Sequence, residues 1–297
     1  MSKSKAEAIF ILAVLSLIWG SSFILMKKGL LAFSAPQVAS LRIIFAGLIF
    51  VPFIIKNFSS IPWQKFKIVI IFALLEIGIP PFLYTFAQQH VDSSSASILN
   101  SLVPLFTLII GLMYFSHKFS WAASLGVLLG LIGAFVMTFL KASSNLNSVL
   151  DFGNSWGLLV VLATLFYGIA GNILKEYLND LTSGMLSALA FVSMAIPAAI
   201  YLPTTGFFSL PLTSAHNLYS LGAIAILSTF GSALAILLFT KLIKFSTALM
   251  ASFVTYLIPF VSLFWGWIDG EDISIIHFSS LIIIFLGIWL ANRKSTV

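Results

Sequence analysis

Stretches of about twenty apolar residues, separated by short polar breaks, run through this 297-residue chain from one end to the other. A helix of that length crosses a hydrocarbon core about 30 Å thick, and in hydrocarbon the backbone must close its own hydrogen bonds, which an α-helix does. No period-2 alternation of the kind a membrane barrel needs is present. The composition agrees. Hydrophobic residues make up 60% and charged residues 8%, with a mean hydropathy of +1.10, whereas soluble chains carry about 25% charged residues. The predicted fold class is therefore an all-α integral membrane protein. With polar, Pro-bearing or Gly-bearing breaks as boundaries, ten transmembrane helices are predicted, at 8–26, 36–55, 67–88, 94–115, 120–140, 156–175, 184–202, 217–239, 246–267 and 274–291. The apolar run from Ile9 to Met26 follows Lys3 and Lys5. It is long for a signal peptide and fits a first span better.

The net charge of +6 raises the possibility of a nucleic-acid partner, but no basic stripe with interleaved aromatics accompanies it. Loop lysines beside a membrane account for the excess. With the N-terminus cytoplasmic, that side collects eleven basic residues, from Lys3 and Lys5 to Arg293 and Lys294. The opposite side has Lys27, Lys28 and Lys141, and Arg42 lies within a helix. The positive-inside rule then places both termini in the cytoplasm of a multi-pass protein of the cell's inner (plasma) membrane. The absence of cysteine excludes disulfides, thiolate metal sites and cysteine nucleophiles.

The chain also repeats itself. IWGSSFILMK at Ile18 to Lys27 aligns with FYGIAGNILK at Phe166 to Lys175, and SASILNSLVPLF at Ser95 to Phe106 aligns with MASFVTYLIPFV at Met250 to Val261. Two matches in the same order predict a first repeat at 1–142 and a second at 156–297, joined by a polar linker at 143–155. Five helices per half is an odd number, so the second copy enters the membrane inverted. A 5+5 inverted-topology repeat around a central cavity is the arrangement used for alternating access.

The segments WGSSF at Trp19 to Phe23, PQVASLR at Pro36 to Arg42, the run from Glu76 through Pro104, the Pro259 helix and GED at Gly270 to Asp272 together resemble the drug/metabolite transporter superfamily, specifically its ten-helix EamA-type permeases. The resemblance covers essentially the whole chain. It departs in the first half, where the corresponding turn reads SHKFS at Ser116 to Ser120 and has no Glu. The resemblance implies secondary transport, often export, of amino acids or other small metabolites.

Glu76 and Arg42 are the charges placed well inside predicted spans, where a charged side chain costs at least ~2.5 to 3.5 kcal/mol. Arg42 lies ~9 Å below the outer surface and Glu76 about 15 Å from either surface, at 1.5 Å per residue. Long side chains span the difference, so three roles are open to them. They neutralise one another or Arg42 simply snorkels outward, they hold the carboxylate and amine of a zwitterionic substrate, or Glu76 carries a coupling proton. Tyr84 and Gln88 follow on the Glu76 helix, and Trp19, Asn100, Tyr167 and Asn172 are further candidates for the cavity wall. Packing, interfacial or interhelical roles compete for each of them, and for Trp and Tyr an interfacial or packing role is the default. Pro80, Pro81, Pro104 and Pro259 are candidate hinges or static bends. Gly126, Gly130 and Gly133 permit close helix packing. The acidic group Asp269, Glu271 and Asp272 reads as a solvated turn.

Three function classes follow. A transporter acting on a small-molecule substrate is favoured by the inverted repeat and the intramembrane charges. A membrane-embedded enzyme would need clustered catalytic groups, but His90, His117, His216 and His277 are scattered and show no metal spacing. A P-loop is also missing. A passive channel is the third class. No cofactor is called for, and protons are the candidate coupling ion.

Overall fold

The computed structural model describes residues 3–114, 121–139, 155–245 and 248–291. The Ser116 to Ser120 turn, with His117, and nearly all of the 143–155 linker lie outside the described residues. Among the described residues seven helices are long and apolar enough to cross a membrane: Ile9–Leu30, Ala35–Lys56, Trp63–Ala87, Ser93–Tyr114, Gly157–Tyr177, Ser183–Thr205 and Ala215–Leu242. Shorter apolar helices lie at Leu128–Met137, Val254–Ile268 and Ile275–Gly287.

The first two helices, α1 (Lys3–Leu30) and α2 (Ala35–Lys56), meet at a turn where the Gln37 side chain accepts from the Ser34 backbone N–H at 2.9 Å, with Pro36 in the first helical turn. The third predicted span is not one regular helix. It consists of α3 (Phe66–Ala73), a π-helical turn over Leu74–Gly78, and α4 (Pro80–Ala87). Pro80 and Pro81 have no N–H to give to the carbonyls of Glu76 and Ile77 one turn back, so the regular ladder fails there. The Ile79 N–H instead reaches five residues back to the Leu74 carbonyl at 2.9 Å. The fourth span is likewise divided, into α5 (Ser93–Asn100) and α6 (Val103–Tyr114). Pro104 cannot donate to the Asn100 carbonyl, which ends α5.

The second half begins, after α7 (Trp121–Phe139), with α8 (Gly157–Tyr177) and α9 (Ser183–Tyr201). Thr182 caps α9 by accepting from the Met185 N–H at 3.2 Å, and Ser214 caps α10 (Ala215–Ile226) by accepting from the Asn217 N–H at 3.2 Å. A second π-helical stretch, Leu227–Leu234, leads into α11 (Ala235–Phe245), six residues past the predicted end. The chain then forms α12 (Ala248–Ile268), which runs through Pro259, and α13 (Ile275–Ala291).

The main packing partners cross between the halves: α1 with α12, α6 with α8, α2 with α9, and α7 with α13. Two glycines aligned in the sequence repeat make the α1–α12 and α6–α8 approaches possible. A Cβ on Gly20 would lie 2.5 Å from Val261 Cβ, and one on Gly168 would lie 2.8 Å from the Thr107 backbone nitrogen. Both distances are below contact, so only glycine fits there. The glycines of α7 likewise pack within the chain, Gly133 on Ile284 and Gly126 and Gly130 on Gly287. Large side chains such as Phe10, Ile55 and Ile200 are exposed on the outside of the bundle, as lipid-facing residues are.

Candidate functional site

Between the crossing helices lies a cavity of about 370 Å³. Its wall takes Trp19 from α1, Arg42 from α2, Glu76 from the first π turn, Tyr84 from α4, Asn100 from α5, and Tyr167 and Asn172 from α8. Sequence reasoning named all of these. Gln88, named with them, does not line the cavity. Its Nε2 donates to the Phe23 carbonyl at 3.3 Å, and its Oε1 is buried without a partner. Of the hinge candidates Pro81 and Pro104 reach the cavity wall. Pro80 is buried at the start of α4, and Pro259 is buried in α12 behind Thr255 and Ile258, which do line it.

Arg42 and Glu76 do not pair. Among the described residues the ion pairs join Lys27 and Lys28 to Asp269 and Glu271, and Lys65 to Asp180. Arg42 Nε instead donates to Ser232 Oγ at 2.7 Å, across the cavity in the second π stretch. The neighbouring Gly231 carbonyl accepts from Trp19 Nε1 at 3.1 Å, and the Trp19 ring meets Phe239 edge-on at 5.0 Å. Around the charges the aromatic walls are also tied down. Tyr84 stacks on Tyr167 with centroids 6.1 Å apart and donates its hydroxyl to Asn100 Oδ1 at 2.5 Å. Asn172 Nδ2 donates to the carbonyls of Thr107 and Gly168 at 2.9 and 2.8 Å.

Sequence reasoning missed Gly231 and Ser232. Aligning the halves puts Thr229 opposite Glu76, yet Thr229 is exposed while Ser232 is 3% exposed and lines the cavity. The clue available was LSTFGSAL itself, a polar and glycine-bearing interruption at the level of Glu76.

The cavity reaches the surface at one end, where exposed Lys175 joins the lining. The other end stops at Met26, 2% exposed, and beyond it lies a charged clasp. Lys27 Nζ is 2.8 Å from Asp269 Oδ2 and 2.9 Å from Glu271 Oε1, and Lys28 pairs with Asp269. Glu271 also seats on the N-terminus of α5. Its Oε1 accepts from the Ser93 N–H at 3.0 Å and hydroxyl at 2.6 Å, and its Oε2 from the Ser94 N–H at 3.1 Å and hydroxyl at 2.5 Å. Free backbone N–H groups and the helix dipole favour an anion there. Gly270, at φ +79°, supplies the left-handed turn that aims Glu271 inward. Glu271 and Asp269 are thus not solvated turn residues, the Glu271 side chain being 1% exposed, whereas Asp272 beside them is exposed as a solvated turn residue is.

The titration of the clasp follows from these contacts. Burial pushes the Glu271 carboxyl up, but hydrogen bonds from Ser93, Ser94 and Lys27 outweigh it and hold the group below its ordinary value. Asp269 is likewise held low, with burial opposed and overcome by Lys27 and Lys28. Asp92, just before α5, is pushed up by burial and by the adjacent Glu271 charge.

The EamA-like transporter family model matches the chain over residues 6–139 and again over 154–293. The inner membrane transporter YedA of Escherichia coli (strain K12) is 25% identical over 286 residues, which cover 95% of this chain and 89% of YedA. A transporter of Archaeoglobus fulgidus is 24% identical, over 96% of this chain and 98% of its own length. An S-adenosylmethionine/S-adenosylhomocysteine transporter of Chlamydia trachomatis serovar L2 is 24% identical over 88% of this chain and 81% of its own. A crystal structure at 15% identity superposes with a TM-score of 0.64, over 97% of this chain and 96% of that one, and shows the fold alone. This chain is a membrane transporter, and it belongs to the EamA-like transporter family.

Proposed function

We propose that the protein is a secondary transporter whose substrate is a small metabolite carrying both an ammonium and a carboxylate, an amino acid or a related compound. One observation carries this reading: the Arg42 guanidinium and the Glu76 carboxylate line the same cavity and are not paired with each other. An ion inside a membrane protein needs a partner, and a zwitterion brings one for each. The aromatic wall of Trp19, Tyr84 and Tyr167 adds apolar area for the rest of the molecule.

Movement would follow alternating access by two inverted halves, 1–142 and 156–297, with the described state open at the Lys175 end. The double family match and the pairwise crossing of α1 with α12 and α8 with α6 support that division. The charge distribution supports cytoplasmic termini, which makes the Lys175 end the cytoplasmic one and suits export from the cell interior. Glu76 is the candidate carrier of a coupling proton. A transporter family, a central cavity and scattered histidines argue against an enzyme.

Counterflow in proteoliposomes tests the reading, with labelled amino acids and S-adenosylmethionine as probes and an imposed pH gradient on any hit. Saturable counterflow of a zwitterion is expected, with its decarboxylated amine and its deaminated acid each carried about tenfold less well. Equal transport of the amine, or flux that never saturates, would overturn it. Glu76→Gln is expected to abolish accumulation against a gradient while the protein stays folded; accumulation that persists removes Glu76 from coupling.

A further inference from the structure

The two π-helical stretches, Leu74–Gly78 and Leu227–Leu234, interrupt the third span of each half and face one cavity. They differ in what they contribute. The first provides Glu76, and the second provides no charge but two oxygen acceptors for side chains arriving from other helices. Gly231 holds the Trp19 indole by its carbonyl, and Ser232 holds Arg42 by its hydroxyl. A π turn widens the helix by one residue and re-aims the side chains that follow, which is how such turns come to sit at functional sites.

The Ser232 contact is made at Nε, the inner nitrogen of the guanidinium. Arginine presents five N–H donors in a planar fork, so a bond at Nε fixes the plane of the group while leaving both terminal nitrogens free to donate. No hydrogen bond from those terminal nitrogens exists among the described residues, and Arg42 lines the cavity. Ser232 is 3% exposed, so the acceptor of the Nε bond is itself held by packing.

We propose that Ser232 is a positioning residue for Arg42. It fixes the guanidinium at Nε, so that the terminal nitrogens face the cavity as a carboxylate site, separate from Glu76. The claim rests on the zwitterion reading for its consequence in transport, but its geometric part stands alone and is measured alone.

Arg42 and Arg293 are the two arginines of the sequence, so a full-length chain labelled with ¹⁵N at arginine Nε and held in nanodiscs gives an uncrowded spectrum. Arg42→Lys identifies the Arg42 signal. Its Nε–H is expected to exchange slowly with solvent in the parent and at least about tenfold faster in Ser232→Ala, because a half-buried charge-assisted hydrogen bond is lost. Ser232→Thr, which keeps the hydroxyl, is expected to restore slow exchange. Unchanged exchange in Ser232→Ala overturns the proposal. Should that variant not fold, Ser232→Cys keeps the volume with a weaker acceptor, and equally slow exchange in it is the overturning result. With a carried amino acid as probe, Ser232→Ala is expected to raise KM about tenfold with little change in kcat, while transport of the decarboxylated amine is unaffected. An equal loss for both would mark Ser232 as merely structural. If no amino acid is carried at all, the zwitterion reading falls, and the exchange measurement still decides the role of Ser232.

Discussion

At the scale of single residues, the cavity is governed by what its charges do not do. Arg42 and Glu76 line the same cavity without pairing, and Ser232 holds the arginine at 2.7 Å instead. The closest helix approaches depend on equally specific positions. Gly20 and Gly168 occupy equivalent places in the repeat, and a Cβ at either would meet a neighbour at 2.5 or 2.8 Å. The nearest atoms include backbone, Ile258 O at 3.0 Å for Gly20 and Thr107 N for Gly168, and backbone cannot rotate away. Gly20→Ala and Gly168→Ala are each expected to destabilise the folded protein by ~1–3 kcal/mol, the usual cost of overpacking. Thermal unfolding in detergent measures this. Unaltered melting in both variants would mean that these helices do not cross as closely as described.

At the scale of elements, the site is built where helices fail. Two prolines deprive Glu76 and Ile77 of donors, and the resulting π turn aims the carboxylate inward. Pro104 divides the next span into α5 and α6, which leaves Asn100 at a helix end facing Tyr84. At the closed end of the cavity, the α12–α13 turn is latched to α1 and α5 through Glu271. Removing that charge should loosen the latch. Because the chain has no cysteine, Met26→Cys is a unique reporter at the inner edge of the clasp. A membrane-impermeant thiol reagent added from the clasp side is expected to label Met26→Cys slowly, and to label Met26→Cys with Glu271→Gln at least about tenfold faster, since the latter breaks a buried ion pair and the α5 cap. Equal labelling in the two backgrounds would show that Glu271 does not hold that end shut.

For the whole molecule, the clasp makes the conformational balance depend on pH on its own side. Asp269 and Glu271 are held below their ordinary carboxylate values in the latched state, so latching releases protons relative to the open state. The sign follows directly. The stabilisation is complete above the ordinary carboxylate range, at about pH 5 and higher, and is lost as pH falls through the lowered values. Lys27 and Lys28 are the cationic partners of these carboxylates, and Asp92, Asp272 and His277 are the other titratable groups nearby. Met26→Cys labelling from the clasp side is therefore expected to stay flat from pH 8 to about 5 and to rise below it, read with a reagent whose reactivity is corrected for thiolate content. A rise beginning near neutral pH would contradict the assignment of the latch to these two carboxylates.

The sequence alone determined the membrane class and named the two charges, Arg42 and Glu76, that line the cavity wall beside Trp19, Tyr84 and Tyr167. Apolar run length, repeated local motifs and a charge in an apolar helix are properties of the chain read in one dimension. It also carried the two aligned glycines, Gly20 and Gly168, whose close contacts the fold then explains. What it did not carry was pairing. Whether Arg42 meets Glu76 or Ser232 depends on the angular shift introduced by a π turn, a change of one residue in register that no periodicity of composition records. The same shift turned Thr229 outward and brought Ser232 to the wall. Glu271 read as a solvated residue because its partners are 244 positions away at Lys27 and 178 and 177 away at Ser93 and Ser94. Only the crossing of α1 and α5 with α12 brings those donors to one carboxylate, and the tertiary structure alone decides which ions are paired and which are left for a substrate.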